Sequence, residues 1–188
     1  MKKFNFVTLA FAILVPMLFA SCGNNDELVG NYEVDKKDIT KMVGQLPGGA
    51  ELGLKLSLNK GDSALLAFVV NGDLMIPELE SSVKVSFDVE YNGKWDYSGI
   101  TKQIKLEMNE GEFKNIKIES DDELTQAFMK ADDAENKLKE ILMKDPQFKD
   151  LKNIFKEPGA LNVKEIQDDG FIVEGNDGKG DIKFNKVK

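Results

Sequence analysis

Apolar and polar residues alternate along several stretches of the chain. The segment ELGLKLSLN (51–59) places four leucines on one face of an extended chain, and VKVSFDVEY (83–91) places five apolar or aromatic side chains on one face. The segments KQIKLEM (102–108) and GDIKFNKV (180–187) repeat the pattern. A period of two residues predicts half-buried antiparallel strands. The segment ALLAFVV (64–70) is apolar on both faces, so we expect another element to cover its outer side.

Turn-forming residues separate these stretches. Asn-Gly and Asp-Gly pairs supply the positive φ angles that tight hairpins need. Their spacing predicts eight or nine strands in a meander, and closing such a meander into a barrel removes its edges. We therefore predict a mainly β chain of the α+β type, built as an antiparallel up-and-down β-barrel of about eight strands. The predicted turns are Lys60-Gly61-Asp62, Asn71-Gly72-Asp73, Asn92-Gly93-Lys94, Asn109-Glu110-Gly111, Asp169-Gly170 and Asp177-Gly178-Lys179-Gly180.

A helical insertion, residues 120–157, interrupts the meander. Ser120 and Glu123 have the spacing of a capping box, and Asp145-Pro146 can end the first helix and start a second. We expect the helix pair to plug one barrel end or to cover the 64–70 strand. A shorter helix is predicted at 38–46, with Asp38 as its cap. The apolar residues at helical spacing in the first helix are Leu124, Ala127, Phe128, Ala131, Leu138, Ile141 and Leu142.

The start of the chain has the layout of a secretion signal. Lys2 and Lys3 precede a fifteen-residue apolar run, and Phe19-Ala20-Ser21 lead directly to Cys22. This order resembles the lipobox of bacterial lipoproteins, which implies lipid attachment at Cys22 and cleavage before it. Two or more acyl chains, such as palmitate, are needed for stable anchoring. An ordinary secretion signal with a chance cysteine, or an uncleaved helix, is the alternative.

The expected domain organisation follows from that cleavage. Residues 1–21 form the signal peptide, 22–27 a lipid-anchored tether, and 28–188 a single domain with the insertion at 120–157. The mature chain of 167 residues is long enough for one domain with a hydrophobic core.

Composition excludes several kinds of chemistry. The chain has no histidine, its 25 basic residues are all lysines, and Cys22 is its one cysteine. Histidine-based nucleophile systems, histidine metal ligands and bidentate arginine clamps are therefore impossible. The net charge of −8 argues against nucleic-acid binding.

The candidate chemical motifs have ordinary structural explanations. Ser81 and Lys84 share the S-x-x-K spacing, but residues three apart on a strand point to opposite faces. The loop 174–181 is spaced loosely like a calcium loop but lacks the later glutamate. Acids adjacent in sequence cannot face each other across a substrate. We therefore predict no enzyme activity, no catalytic residue, no metal ligand and no cofactor. The adjacent acids are Asp121-Asp122, Asp132-Asp133 and Asp168-Asp169.

Trp95 and Tyr97 are the candidate ligand-binding residues. They alternate on one strand face, and ligand cavities favour aromatic side chains. Aromatic side chains on an inward face also serve as core, which is the alternative for both residues.

Short motifs link the chain to a family. Gly30-x-Tyr32 opens the first strand, and the chain then carries Gln45-Leu46-Pro47, Asn59-Lys60-Gly61-Asp62 and Gly93-Lys94-Trp95 in order. This layout resembles the lipocalin-like lipoproteins of Bacteroidetes. The resemblance implies a non-catalytic, lipid-anchored protein of the cell envelope, at the outer membrane, that binds a small apolar or amphiphilic ligand in its barrel.

Two other functions stay open from the sequence. The barrel could be filled by side chains, with the outer surface or the helical insertion docking an envelope protein partner. The chain could also be an enzyme that uses carboxylates and lysines alone, which requires two inward-facing acids in a cleft.

Overall fold

A computed structural model of the chain describes most of the predicted domain. The signal region, Cys22 and all of the predicted second insertion helix except Lys152 lie outside the described residues. The residues described are 25–43, 50–76, 81–119, 123–144, 152, 158–175 and 180–187.

Nine strands, three α-helices and one 3₁₀ helix make up the described chain. The 3₁₀ helix covers Asn25–Leu28 and immediately precedes the first strand. The helices are α1 (Lys36–Val43), α2 (Glu123–Met129) and α3 (Ala134–Lys144). The strands are β1 (Gly30–Val34), β2 (Glu51–Leu58), β3 (Ser63–Ile76), β4 (Ser81–Ser98), β5 (Gln103–Met108), β6 (Glu112–Glu119), β7 (Gly159–Gln167), β8 (Gly170–Val173) and β9 (Ile182–Val187).

The strands form a closed, eight-stranded antiparallel barrel. Around the barrel the order is β1, β2, β3, β4, β5, β7, β8 and β9, and β9 pairs again with β1. Neighbours around the barrel are also neighbours along the chain, apart from β6. The prediction of a mainly β, up-and-down barrel of about eight strands is confirmed.

Strands β5 and β6 are two halves of one interrupted strand. Both run antiparallel to the same edge of β4, β5 against Gly93–Ser98 and β6 against Lys84–Glu90. The turn predicted at Asn109-Glu110-Gly111 is therefore wrong, because the chain keeps its direction there. The glycine serves packing instead: a Cβ atom on Gly111 would lie 2.7 Å from the ring of Tyr91.

Two other predicted turns lie inside long strands. Asn71-Gly72-Asp73 falls within β3 and Asn92-Gly93-Lys94 within β4, where the two strands pair continuously from Ser63 opposite Lys94 to Ile76 opposite Ser81. Gly93 is required by close approach, since a Cβ there would lie 2.2 Å from the carbonyl oxygen of Glu107 on β5.

Two of the predicted turns are confirmed. Gly61 and Asp62 both have positive φ in the β2–β3 turn, and Asp169-Gly170 joins β7 to β8. The turn predicted at 177–180 lies outside the described residues except for Gly180.

The insertion differs from the predicted single first helix. It is two helices, α2 and α3, separated at residues 130–133. Aspartate is a poor interior helix residue, and Asp132-Asp133 occupies this break. Asp133 also lies just before α3, where a negative charge is favourable, and it pairs with Lys137 at 3.0 Å.

Helix α1 begins earlier than predicted. The backbone carbonyl of Asp35 accepts hydrogen bonds from the amides of Asp38 and Ile39 at 2.8 and 3.1 Å, so the helix starts at Lys36. Asp38 lies within the first turn rather than at the cap. Its buried carboxylate accepts a hydrogen bond from the backbone amide of Lys183 on β9, at 3.4 Å.

The insertion packs on the β6 side of the barrel. Leu138 and Leu142 lie one turn apart on α3, are fully buried, and belong to the same core as the barrel interior. Helix α3 contacts β6, whose other edge pairs with none of the described strands. The amide of Gly111 donates to the carbonyl of Lys152 at 2.9 Å, which brings the returning chain against the β5–β6 break.

We expect Gly93→Ala to lower the free energy of unfolding by about 2 kcal/mol, because the added methyl would overlap β5 backbone and force the strands apart. Gly99→Ala is the matched control, since a Cβ at Gly99 meets no atom within 4 Å. Urea unfolding followed by circular dichroism measures both. Equal unfolding midpoints for the two variants would contradict the packing explanation.

Candidate functional site

Buried side chains line the barrel interior over its described length. Among them Val89, Tyr91, Ile104 and Phe171 are 0 % exposed. Two apolar side chains of β7, Leu161 and Ile166, are only partly buried and pack against this core. The core side chains on the barrel strands are Tyr32, Val34, Leu52, Leu54, Leu56, Leu58, Ala64, Leu66, Phe68, Val70, Val83, Val85, Phe87, Val89, Tyr91, Trp95, Tyr97, Ile104, Leu106, Met108, Val163, Phe171, Val173, Ile182 and Phe184.

Aromatic contacts cross the interior between strands. Phe171 stacks on Phe184 with ring centroids 4.7 Å apart and meets Tyr32 edge-on at 4.8 Å. Phe68 and Tyr91 meet edge-on at 6.0 Å. Such pairs contribute beyond their buried area and fix one another's orientation. These rings therefore pack directly against one another inside the barrel.

Trp95 and Tyr97 lie in the core. Both are on the part of β4 that extends past its pairing with β3, and they are 2 % and 7 % exposed. The indole Nε1 of Trp95 donates to the backbone carbonyl of Asn59 at 3.0 Å, in the β2–β3 turn. The polar atom of Trp95 therefore has a partner within the protein. Ligand contact at these residues stays a prediction, and it would require packed side chains to move.

The N-terminal segment closes one end of the barrel. Leu28 in the 3₁₀ helix is 1 % exposed, and its carbonyl accepts a hydrogen bond from the Tyr32 hydroxyl at 2.8 Å. The ammonium group of Lys186 lies 5.9 Å from the Tyr32 ring centroid. Burial, and then the nearby charge of Glu27, raise the pKa of the Tyr97 hydroxyl.

We call this closed end the N-terminal end. Strand register places Gly30 opposite Leu58, so the β2–β3 turn lies there. Trp95 donates its amide to the Asp62 carbonyl of that turn, and β4 continues beyond it into the β4–β5 turn at 99–102. The β7–β8 turn reaches the same end, because the Lys186 amide donates to the Asp169 carbonyl.

The adjacent acids are separate surface groups. Asp132-Asp133 is exposed in the break between α2 and α3, and Asp168-Asp169 is exposed in the β7–β8 turn. Lys183 pairs with Asp169 at 2.8 Å, and this hydrogen bond lowers the pKa of that carboxyl. Asp121-Asp122 lies outside the described residues.

Residues of the other two candidate motifs, the S-x-x-K spacing and the 174–181 loop, lie on the surface. Lys84 is exposed on β4, and Asp181 of the 174–181 loop pairs with Lys164 at 2.6 Å. Within the described part of the chain, no group of three or more acidic, histidine or cysteine side chains is arranged to hold a metal ion. None of the helices described here is long and apolar enough to cross a membrane.

Comparison with known proteins adds no identification. No family model matches the sequence, and a search of curated proteins finds no significant match. The geometry of the barrel and its ends therefore carries the functional argument.

The sequence missed several residues that shape the closed end. Nothing in the alternation pattern marks Lys186 as a partner of the Tyr32 ring, or the Asn59 carbonyl as the acceptor for Trp95. Ile100 was also missed: it sits in the β4–β5 turn, outside the alternating stretches, and is 95 % exposed. A large apolar residue between Gly99 and Thr101 was the available signal.

We expect all three tyrosines to resist ionisation while the protein is folded. Burial raises the pKa of Tyr32, Tyr91 and Tyr97 above the ordinary value of 10.0. Because the folded pKa values exceed the unfolded ones, the tyrosines' contribution to stability should be fully present below about pH 10 and be lost as the pH rises further. Phenolate absorbance, titrated with and without urea, measures this. A full phenolate signal near pH 10 in protein that keeps its circular dichroism would contradict it.

Proposed function

We propose that the protein is a lipid-anchored, non-catalytic protein of the cell envelope, whose filled barrel is a rigid scaffold that meets an envelope partner through its outer surface. The observation that carries the proposal is the burial of most inward-facing side chains on the described barrel strands, with the partly buried Leu161 and Ile166 of β7 packed against them. The interior of an eight-stranded barrel can be filled by side chains or can hold one small ligand, and the buried core here supports the first arrangement.

The order of residues at the start of the chain supports the anchor. The apolar run ends in Phe19-Ala20-Ser21, and Cys22 lies three residues before Asn25, where the described domain begins. Acylation of Cys22 would therefore join the lipid almost directly to the N-terminal end of the barrel.

Ligand carriage is the competing function. A ligand pocket usually occupies about 300–1,000 Å³ and buries most of the ligand. In this barrel the aromatic cluster of Tyr32, Phe171 and Phe184 takes up that kind of space. A carrier would need this cluster to open.

The distribution of polar groups supports a non-catalytic role. Asp38 and Thr125 are the buried polar side chains among the described residues, and Asp38 sits on α1 against β9. A glycosidase-type mechanism needs two facing carboxyl groups in a cleft. The described surface carboxylates such as Glu33, Asp169 and Asp181 instead pair with lysines of other elements.

The described insertion presents a polar outer face. Leu138 and Leu142 are buried, Phe128, Met129, Ile141 and Met143 are half-buried, and the exposed positions include Glu123, Lys137 and Glu140. A partner that docks on this face would make polar contacts, which suits a reversible complex better than an obligate one.

We expect the domain, residues 23–188, to keep its own mass in native mass spectrometry after incubation with lipid extract from its host. Because the interior is filled, there is no room for a lipid chain. A retained lipid mass that is lost on denaturation would contradict the proposal and favour the carrier.

A cavity variant supplies the matched control. Phe171→Ala removes a ring that is fully buried, and apolar cavities of that size bind small aromatic molecules. We expect benzene to raise the melting temperature of the variant and to leave that of the parent chain unchanged.

We expect Cys22→Ser to abolish lipid attachment. The parent chain, expressed in a bacterium fed radioactive palmitate, should carry the label and partition into detergent, whereas the variant should do neither. Lys60→Ser, a change in the exposed β2–β3 turn, is the control and should keep the label. Label on the Cys22→Ser protein would refute the anchor.

A further inference from the structure

The turn at residues 99–102 carries an unusual surface residue. Ile100 is 95 % exposed, and the other large apolar side chain exposed in the described chain, Val187, is only 40 % exposed. The turn is ordered by its own contacts: the Thr101 amide donates to the Ser98 hydroxyl, and the Lys102 carbonyl accepts from the amide of Val163. The structure therefore holds an isoleucine fully in solvent on a braced loop.

Chain connectivity places this turn at the same end as the anchor. The β4–β5 turn belongs to the N-terminal end, where the charge of Glu27 acts on Tyr97, three residues before Ile100. Asn25 follows Cys22 by three positions, and a fully extended chain of that length spans at most about 11 Å. An acylated Cys22 would hold this end of the barrel beside the lipid headgroups.

The charges at this end indicate whether electrostatic or apolar attraction would draw it to a membrane. The exposed residues around the N-terminal end include three acids, Asp26, Glu27 and Asp168, and three lysines, Lys60, Lys102 and Lys186. Among these residues the acids offset the lysines, so they carry no excess positive charge to attract anionic lipids. Attraction to the membrane would therefore come from the apolar side chain, which gains free energy by leaving water.

We propose that the N-terminal end of the barrel faces the bilayer and that Ile100 inserts into the lipid interface, which fixes the orientation of the anchored domain. This inference rests on the proposed lipid anchor. One isoleucine is too weak to bind a membrane alone, but the tether keeps the turn at high local concentration, so insertion becomes effectively intramolecular. The opposite end of the barrel and strand β6 are then presented away from the membrane.

The test uses the full chain, acylated at Cys22 and reconstituted into phosphatidylcholine vesicles. Thr101→Cys supplies one reactive thiol for an environment-sensitive dye beside Ile100, since the chain has no other cysteine apart from Cys22. Nitroxide groups on the lipid acyl chains should quench this dye. Asp73→Cys, an exposed position at the far end of β3, carries the same dye as a control and should not be quenched.

A second comparison isolates the isoleucine. Adding Ile100→Ser to the Thr101→Cys protein should shift the insertion equilibrium by about tenfold and remove most of the quenching. Both residues are exposed, so the fold should be unchanged.

The outcomes separate the two proposals. Protein that floats with the vesicles but shows equal quenching at positions 101 and 73, or no effect of Ile100→Ser, would overturn the orientation and leave the anchor standing. Protein that does not float with the vesicles would overturn the anchor, and the orientation with it.

Discussion

The pairing of β3 with β4 is the constraint on which the rest of the structure depends. The two strands match continuously from Ser63 opposite Lys94 to Ile76 opposite Ser81, and this pairing closes the barrel. On its other edge β4 carries β5 and then β6. One long strand therefore sets the register of three neighbours, and its inward residues from Val83 to Tyr97 run the length of the core. Register on a strand with one buried face is strongly specified, because a shift by one residue would turn that face to water.

Packing holds this barrel together, with little help from ionic interactions. The ion pairs across its strands, such as Lys55 with Glu33 and Lys164 with Asp181, are well exposed, and exposed pairs contribute little stability. The interior instead joins rings from distant parts of the sequence, as in the contact of Tyr32 with Phe171 and Phe184. Because Cys22 is the one cysteine of the chain, no disulfide can link these strands, and packing of the core has to supply this stability.

The sequence predicted the architecture well because alternation depends on one local property, which face of a strand is buried. Leu52 to Leu58 and Val83 to Tyr91 point inward as their pattern indicated. Glycine-containing pairs were less informative about where turns lie. Glycine is required in a tight turn, and it is also required in a strand where two backbones approach closely. Gly61 has the positive φ of a turn, whereas Gly93 lies in a strand because β5 passes too close for a side chain. Only long-range packing distinguishes these cases.

For the candidate site, too, local sequence patterns could not show long-range packing. Trp95 and Tyr97 were correctly placed on one strand face, but the sequence could not show whether that face lines a cavity or a packed core. The answer depends on the Asn59 carbonyl and on side chains from strands far away in the chain. Ile100 is the converse case, because a single apolar residue in a turn has no periodicity and only its exposure in the folded chain makes it notable.

The offset between the end of β6 and the start of β7 explains the long connection between these two strands. Strand β6 ends opposite Lys84 of β4, whereas β7 begins beside Leu106 of β5, which lies opposite Trp95. Those two levels of β4 are eleven residues apart, or about 36 Å along a strand. The chain must therefore travel back along most of the barrel before it can resume the meander. The helical segment is a return path imposed by topology, and no ordinary hairpin loop could replace it.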